Sequence, residues 1–201
     1  MTPITLSDAS GNGNVGKILN GEPRWQASGR IGGALLFDGK GDWVHVANED
    51  KFDCVAQVTV AAWIKVNRFD KEWQAIVTKG DSAWRLQRNQ DKDNIEFACS
   101  GLKVQGGSPY GPLYGQKNVN DGRWHHVVGV YDGEKMCLYI DGVVDASQPA
   151  SGGIATNNHP VYIGENSEMT GRFWNGLIDD VRIYNYALSE DQVKAVYGGS
   201  E

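Results

Sequence analysis

The sequence predicts an all-β fold, a two-sheet antiparallel β-sandwich with one short C-terminal helix. Three observations carry this. The 201 residues include 26 glycines beside 7 Trp, 8 Tyr and 5 Phe, a composition suited to many short strands joined by tight turns. Runs of β-branched and aromatic residues with period-two alternation recur through about a dozen segments. No alternation of strands with helical segments interrupts them, so two sheets packed face to face are expected rather than a parallel sheet. A chain of this length buries roughly 70% of its extended surface and needs only one domain, residues 1–201.

The elements follow in order. After a polar, glycine-rich opening, Lys17–Leu19 and Ala34–Phe37 read as short strands, and Trp43–Val46 alternates apolar with polar residues. Val58–Val66 is the clearest core strand: Val58, Val60, Ala62, Ile64 and Val66 form one apolar row, and Trp63 falls on the other with Thr59, Ala61 and Lys65. Short strands are expected at Ala75–Thr78, Trp84–Arg88 and Asn94–Ala98, the last two joined as a hairpin across Asn89–Asp93. Ser100–Asn120 has glycines, prolines and two tyrosines without a sustained period and reads as a long surface excursion, a place where binding groups concentrate. Residues 123–142 hold two β-rich runs separated by Asp132-Gly133 and closed by Asp141-Gly142, a hairpin followed by another tight turn. Val161–Ile163 and Gly176–Tyr184 complete the strands. Ser189 caps a short helix with Gln192 as its capping-box partner, and Val193 and Val196 give it an apolar edge that would pack on the edge of the sandwich.

Composition also excludes function classes. A chain with 22% charged and 40% hydrophobic residues is neither disordered nor a coiled coil. The net charge is −6, and Lys and Arg occur only as scattered residues and pairs, which argues against a nucleic-acid partner. The longest apolar runs, such as Val58–Ile64, fall far short of the roughly 18 residues of a membrane span, so a soluble chain without membrane insertion is expected. The opening MTPITLSDASGNG does not read as a secretory signal. Cys54, Cys99 and Cys137 are too few for a disulfide scaffold. One pair could form, Cys99 with Cys137 or another, or all three could fill a β core.

Several motifs fail on inspection. Gly11, Gly13 and Gly16 match a nucleotide-binding glycine pattern but lack the strand before and the helix after it. Asp8, Ser10, Asn12 and Gly13 begin like a calcium loop, yet the twelfth position is Leu19. His45, His125, His126 and His159 have no zinc-like spacing, and His125 and His126 would point to opposite faces of a strand. A glycosidase needs two facing carboxyl groups. Asp91 and Asp93 have the spacing but lie in a turn, and the adjacent Asp179 and Asp180 would point apart.

The stretches GGALLFDGKGDWVHV (32–46), VTVAAWIKV (58–66), GRWHHVVGVYDGEKMCLYIDG (122–142) and GLIDDVRIYNYALSEDQVKAVY (176–197) resemble the concanavalin A-like lectin/glucanase superfamily. Within it they are most similar to the laminin G-like, pentraxin-related jelly-roll domain of secreted and surface bacterial proteins, whose usual beginning DASGNGNVG (8–16) also fits. The resemblance runs from end to end and implies one complete jelly-roll domain at a secreted or cell-surface location. Members serve as carbohydrate-binding modules or adhesion domains attached to larger proteins, and related jelly rolls are glycoside hydrolases, so fold alone does not choose. The Glu-x-Asp-x-(x)-Glu strand of the glucanases is missing, which disfavours an enzyme.

The resemblance also implies a structural Ca2+ joining the early FDG turn to the late IDD strand, which nominates Asp38 and Asp180, with Asp8 or Asp179 as additions. Alternatively, Asp38 only orders the Asp38-Gly39 turn and Asp180 caps a buried amide. Trp63 and Trp124 match family positions of the core. Trp73, Trp84, Trp174, Tyr110 and Tyr114 are less tied to the family pattern and lie in or beside loops and the middle hairpin. Sugar binding needs such aromatic faces ringed by planar polar groups. Arg85 and Gln87 share one face of their strand, opposite the more apolar row of Trp84, Leu86 and Arg88, and are expected to be exposed. The expected ligand is a polysaccharide or glycan held by Trp73, Arg85, Gln87, Tyr110, Tyr114 and Trp174, without bond chemistry. A protein-binding adhesion domain is the alternative, and a glycoside hydrolase the third reading.

Overall fold

The computed structural model describes residues 4–18 and 21–199; Leu19, at the end of the expected strand 17–19, lies outside the described residues. Sixteen strands are described: β1 (Ile4–Leu6), β2 (Gly16–Ile18), β3 (Arg24–Gln26), β4 (Ala34–Asp38), β5 (Val44–Val46), β6 (Val58–Val66), β7 (Ala75–Thr78), β8 (Trp84–Arg88), β9 (Ile95–Cys99), β10 (Lys103–Val104), β11 (Pro112–Tyr114), β12 (Trp124–Tyr131), β13 (Lys135–Ile140), β14 (Val143–Ser151), β15 (Val161–Ile163) and β16 (Asn175–Tyr184). A single turn of 3-10 helix spans Glu49–Phe52, and helix α1 spans Glu190–Tyr197. The strands form two eight-stranded antiparallel sheets, in the orders β1-β2-β5-β15-β7-β8-β9-β11 and β10-β14-β13-β12-β6-β16-β4-β3. The excursion Ser100–Asn120 is not free of structure: β10 joins the second sheet through β14, and β11 joins the first through β9.

Alternation builds the core. Val58, Val60, Ala62, Ile64 and Val66 of β6 all face the other sheet, where they meet Trp84, Leu86, Ile95 and Phe97 in one buried cluster. Close approach of the sheets requires a glycine at one point: a Cβ on Gly129 of β12 would lie 2.3 Å from the Phe97 ring. The outer row of the second sheet is apolar as well, and α1 lies across it. Ala61, Val128, Val130, Cys137 and Tyr139 form a second cluster with Leu188, Val193 and Val196. The helix therefore covers a sheet face, not the sandwich edge expected from its length, because that face carries residues that would otherwise stand in water. Its capping box forms as the sequence indicates, Gln192 N–H donating to the Ser189 side chain and Gln192 in turn accepting from the Ser189 N–H.

Beside that helix lies an aromatic stack. Trp63 clusters with His126, at 5.0 Å, and Tyr197, at 5.4 Å, which are 6.0 Å from each other, and the Arg30 guanidinium rests 4.4 Å from its ring centre. His126 is fully buried with neither ring nitrogen hydrogen-bonded, and burial pushes it down to about 4. Asp180 and Asp141 oppose that shift while Arg182 and Arg30 add to it. His125 points the other way, its two nitrogens 2.9 Å from Asp141 and 3.0 Å from Asp121. All three cysteines are buried and unpaired. Cys99 belongs to the core between the sheets and Cys137 to the cluster under α1, so the second sheet separates them.

Two stability predictions follow from these contacts. Gly129→Ala should lower unfolding stability by about 1–3 kcal/mol in a denaturant titration, because the Phe97 ring must shift. For His126 the folded value lies below the ordinary value near 6.5, so its contribution is complete above pH 6.5 and is lost as pH falls towards 4. Wild-type protein should therefore lose up to about 3 kcal/mol over that window that His126→Phe retains.

Candidate functional site

The site is built on the outer face of the first sheet, where β8, β9 and β11 run side by side. Alternation places Trp84 and Leu86 in the core and turns Arg85 and Gln87 outward. Gln87 stands opposite Glu96 of β9, and Glu96 opposite Tyr114 of β11, giving a row of amide, carboxylate and phenol across three strands. In the next row Arg85 faces Ala98, which faces Pro112. These small neighbours leave the Arg85 guanidinium room to reach sideways, and its Nη2 lies 3.7 Å from Glu96. Gln87 donates to the same carboxylate at 3.4 Å.

The face is partly roofed. Asp81, in the turn between β7 and β8, takes the Arg172 fork at 2.7 and 3.1 Å, the Asn166 amide at 2.7 Å, and stands 3.6 Å from Arg85 Nε. Arg172 also donates to Gln87 at 3.2 Å. In return Glu168 accepts from the Asp81 and Ser82 N–H groups, each at 2.8 Å. The segment 164–172 is thereby fixed over β7 and β8. Arg85 and Gln87, expected to be exposed, are only 3% and 1% exposed: strand alternation set their direction, but Arg172 lies against Gln87, while Asp81, Ser100 and Tyr110 lie against Arg85.

Aromatic residues stand at both ends of this polar floor. Trp73, half-buried and with φ of +51°, has Arg172 5.3 Å from its ring centre. A bulky residue rarely adopts such a backbone angle, and Arg88 holds the neighbouring loop by donating to the Lys71, Asp91 and Lys92 carbonyls. At the other end Tyr110 and Tyr114 are 56% and 53% exposed, with Arg85 5.8 Å from the Tyr110 ring centre. Burial pushes the Glu96 carboxyl above its usual range, against the pull of Arg85, and raises the Tyr114 phenol as well. Each carboxylate of the floor is held by a guanidinium, an arrangement that presents fixed donors and acceptors and leaves no free pair of acids facing across a cleft.

Five expected site residues, Trp73, Arg85, Gln87, Tyr110 and Tyr114, thus converge from four segments. Trp174 does not join them: it is fully buried, edge-on to Phe69 at 5.8 Å, and has no face to offer a sugar. Trp84 is equally buried, its indole N–H donating to the Phe52 carbonyl. Sequence reasoning missed Asp81, Glu96 and Arg172. Glu96 was legible from the hairpin register opposite Gln87, whereas Arg172 comes from a loop 91 residues away from Asp81 that has no periodic signal.

The aspartates nominated for calcium are dispersed. Asp38 pairs with Asn175 across β4 and β16, four residues from Asp179, which is about 13 Å along a strand and too far to share one ion. Asp38 orders its turn by accepting the Lys40 and Gly41 N–H groups. Asp179, not Asp180, caps backbone amides, those of Arg30 and Ile31 at 2.7 and 2.8 Å. Asp180 instead pairs with Arg182 at 3.0 Å, and Asp8 holds Ser10 and Asn14 in the β1–β2 loop. Their oxygens face N–H and guanidinium donors, so these four residues do not fit a single calcium ion. A cavity of 780 Å³ opens beside Asp38 and Asn175, but its one aromatic, Phe37, is 1% exposed.

Comparison with known proteins places this geometry in a family. The chain resembles the binding domain of Paraclostridial Mosquitocidal Protein 1 with a TM-score of 0.76 and 18% identity, covering 98% of this chain and 51% of that one. Domain 4 of an extracellular GH43 arabinanase from Geobacillus stearothermophilus, solved with arabinotriose, gives 0.70 and 22% identity over 96% of this chain and 92% of that one. The receptor-binding domain of a botulinum neurotoxin C/D mosaic gives 0.70 and 19% identity, covering 96% and 48%. The chain thus spans about half the length of the first of these structures. Comparison with curated protein sequences gave no match. The Laminin_G_3 family, described as the concanavalin A-like lectin/glucanases superfamily, matches residues 38–194, from the FDG turn into α1. With that match over most of its length and a two-sheet jelly roll to go with it, the chain belongs to the concanavalin A-like lectin/glucanases superfamily.

Proposed function

We propose that the chain is a non-catalytic carbohydrate-binding module that recognises a polysaccharide or glycan on the outer face of the first sheet. The observation that carries this reading is the convergence of Trp73, Tyr110 and Tyr114 around the polar floor of Arg85, Gln87, Glu96, Asp81 and Arg172. Aromatic faces cover the apolar side of a pyranose or furanose ring, and rigid planar groups meet its hydroxyls. The alternative reading of the carboxylates, as an acid and nucleophile pair, sits poorly with Asp81 held by a two-pronged Arg172 contact and Glu96 shared between Arg85 and Gln87.

The comparisons support the same reading. A jelly-roll domain of an arabinanase has been solved with an oligosaccharide, and other neighbours are binding domains within longer proteins. We read this chain likewise as a module acting outside the cell, attached to further domains of a larger secreted or surface protein. Among the described residues no helix is long and apolar enough to cross a membrane.

The reading predicts selective binding on an array of plant, bacterial and animal glycans, with equal signal in calcium and in chelator, because the four aspartates are dispersed. Loss of signal under chelation would reinstate a metal role, and the lack of any bound glycan would contradict the proposal. Tyr110→Ala and Tyr114→Ala should each weaken binding about tenfold, the loss of one stacking contact of about 1.4 kcal/mol. Thermal stability should be unchanged, since both rings are more than half exposed.

A further inference from the structure

We infer that the site takes neutral, hydroxyl-rich glycans and rejects anionic ones such as uronates and sialates, because both guanidinium groups of its floor are already matched by carboxylates of the same chain. The inference rests on the glycan-binding reading above. A surface arginine beside an aromatic ring ordinarily suggests an acidic ligand, since a guanidinium fork fits a carboxylate. Here the forks are taken. Arg172 spends both Nη atoms on Asp81, at 2.7 and 3.1 Å. Arg85, 3% exposed, donates from Nη1 to the Asp81 carbonyl at 2.7 Å, while its Nη2 and its hydrogen-bond-free Nε stand at ion-pair distances of 3.7 Å from Glu96 and 3.6 Å from the Asp81 carboxylate.

An incoming carboxylate would have to displace Asp81 or Glu96, and the displaced group would stay half-buried or buried without a cation. The charge behind the floor points the same way. Glu168 supports the Asp81 turn, with His159 3.9 Å away, and Glu165, 2% exposed, accepts the Gly171 and Arg172 N–H groups. Lys79, beside that turn, is matched by Glu49 and Asp53 at 3.0 and 2.9 Å. Acids therefore equal or outnumber bases throughout the site. What remains open to a ligand is the half-exposed Tyr110 and Tyr114 and the partly accessible edges of Asp81 and Arg172, which suits hydroxyl groups. Beside this geometry, burial raises Glu96, so acidification neutralises it above the usual carboxylate range and leaves Arg85 less compensated.

Matched pairs test this: galactotetraose with tetragalacturonate, mannotetraose with tetramannuronate, and lactose with sialyllactose, each titrated calorimetrically against wild-type protein and against Tyr114→Ala. The neutral member of at least one pair should bind through Tyr114, with its acidic partner at least about tenfold weaker. Glu96→Gln and Asp81→Asn should narrow that gap, as should lowering the pH. Tyr114-dependent binding of an acidic member as tightly as its neutral partner would overturn the inference and leave the glycan reading standing. Binding of neither member of any pair would overturn both. Should either charge variant unfold, the wild-type comparison decides alone.

Discussion

The contact between Asp81 and Arg172 holds together what the rest of the site depends on. Arg85 and Glu96 lie on strands whose outer face would, by alternation alone, be open to water. Segment 164–172 is held there by Asp81, which receives Arg172 and Asn166, by Glu168, which receives the Asp81 and Ser82 amides, and by backbone bonds from Gly164 to Ile76 and from Ala75 to Arg172. With the roof in place the floor becomes a network of matched charges of low exposure, stiff enough to present its polar atoms at fixed positions. Removing one partner would leave a charge without its counter-ion in a site of low exposure, which typically costs about 3–5 kcal/mol for a buried pair. Rigidity of the floor and position of Trp73, which packs against Arg172, therefore have a common source.

The two outer faces of the sandwich are treated differently, and this directs the function. The second sheet turns Ala61, Val128 and Val130 outward and seals them under α1. The first sheet turns out Arg85, Gln87 and Glu96, which loops bury as a polar layer, and Tyr114, which stays half exposed. The choice of residues in alternate strand positions thereby gives the jelly roll one face sealed by a helix and one lined with polar and aromatic groups, the latter being the face we propose for recognition.

Much of this was legible in the sequence. The β6 row, the hairpins at Asp132-Gly133 and Asn89–Asp93 and the capped helix rest on local signals, and each appears in the structure. Strands β1, β3, β10 and β11, two or three residues each, sit in polar or glycine-rich stretches that mask them, whereas the equally short β5 and β15 stand out as VHV and VYI, and β14 escaped because its run VVDASQPAS mixes polar residues and a proline without an apolar row. Within the site, the direction of Arg85 and Gln87 followed from alternation, but their burial did not, because it depends on Arg172 against Gln87 and on Asp81, Ser100 and Tyr110 against Arg85, none of them placed by a periodic signal. Trp174 shows the same limit from the other side: a tryptophan beside a loop in sequence can still close the end of a core. The aspartates 38 and 180 looked joinable only while the register of β4 against β16 was unknown; Asp38 falls opposite Asn175.

On the proposed reading, sugar is held on the outer face of the first sheet. Backbone amide chemical-shift mapping by NMR, with a glycan identified on the array, tests this most directly. The account predicts shifts concentrated at Trp73, Gln87, Glu96, Tyr110, Tyr114 and Arg172, with the α1 face silent. Shifts centred instead on the cavity beside Asp38 and Asn175, or on the face under α1, would contradict it.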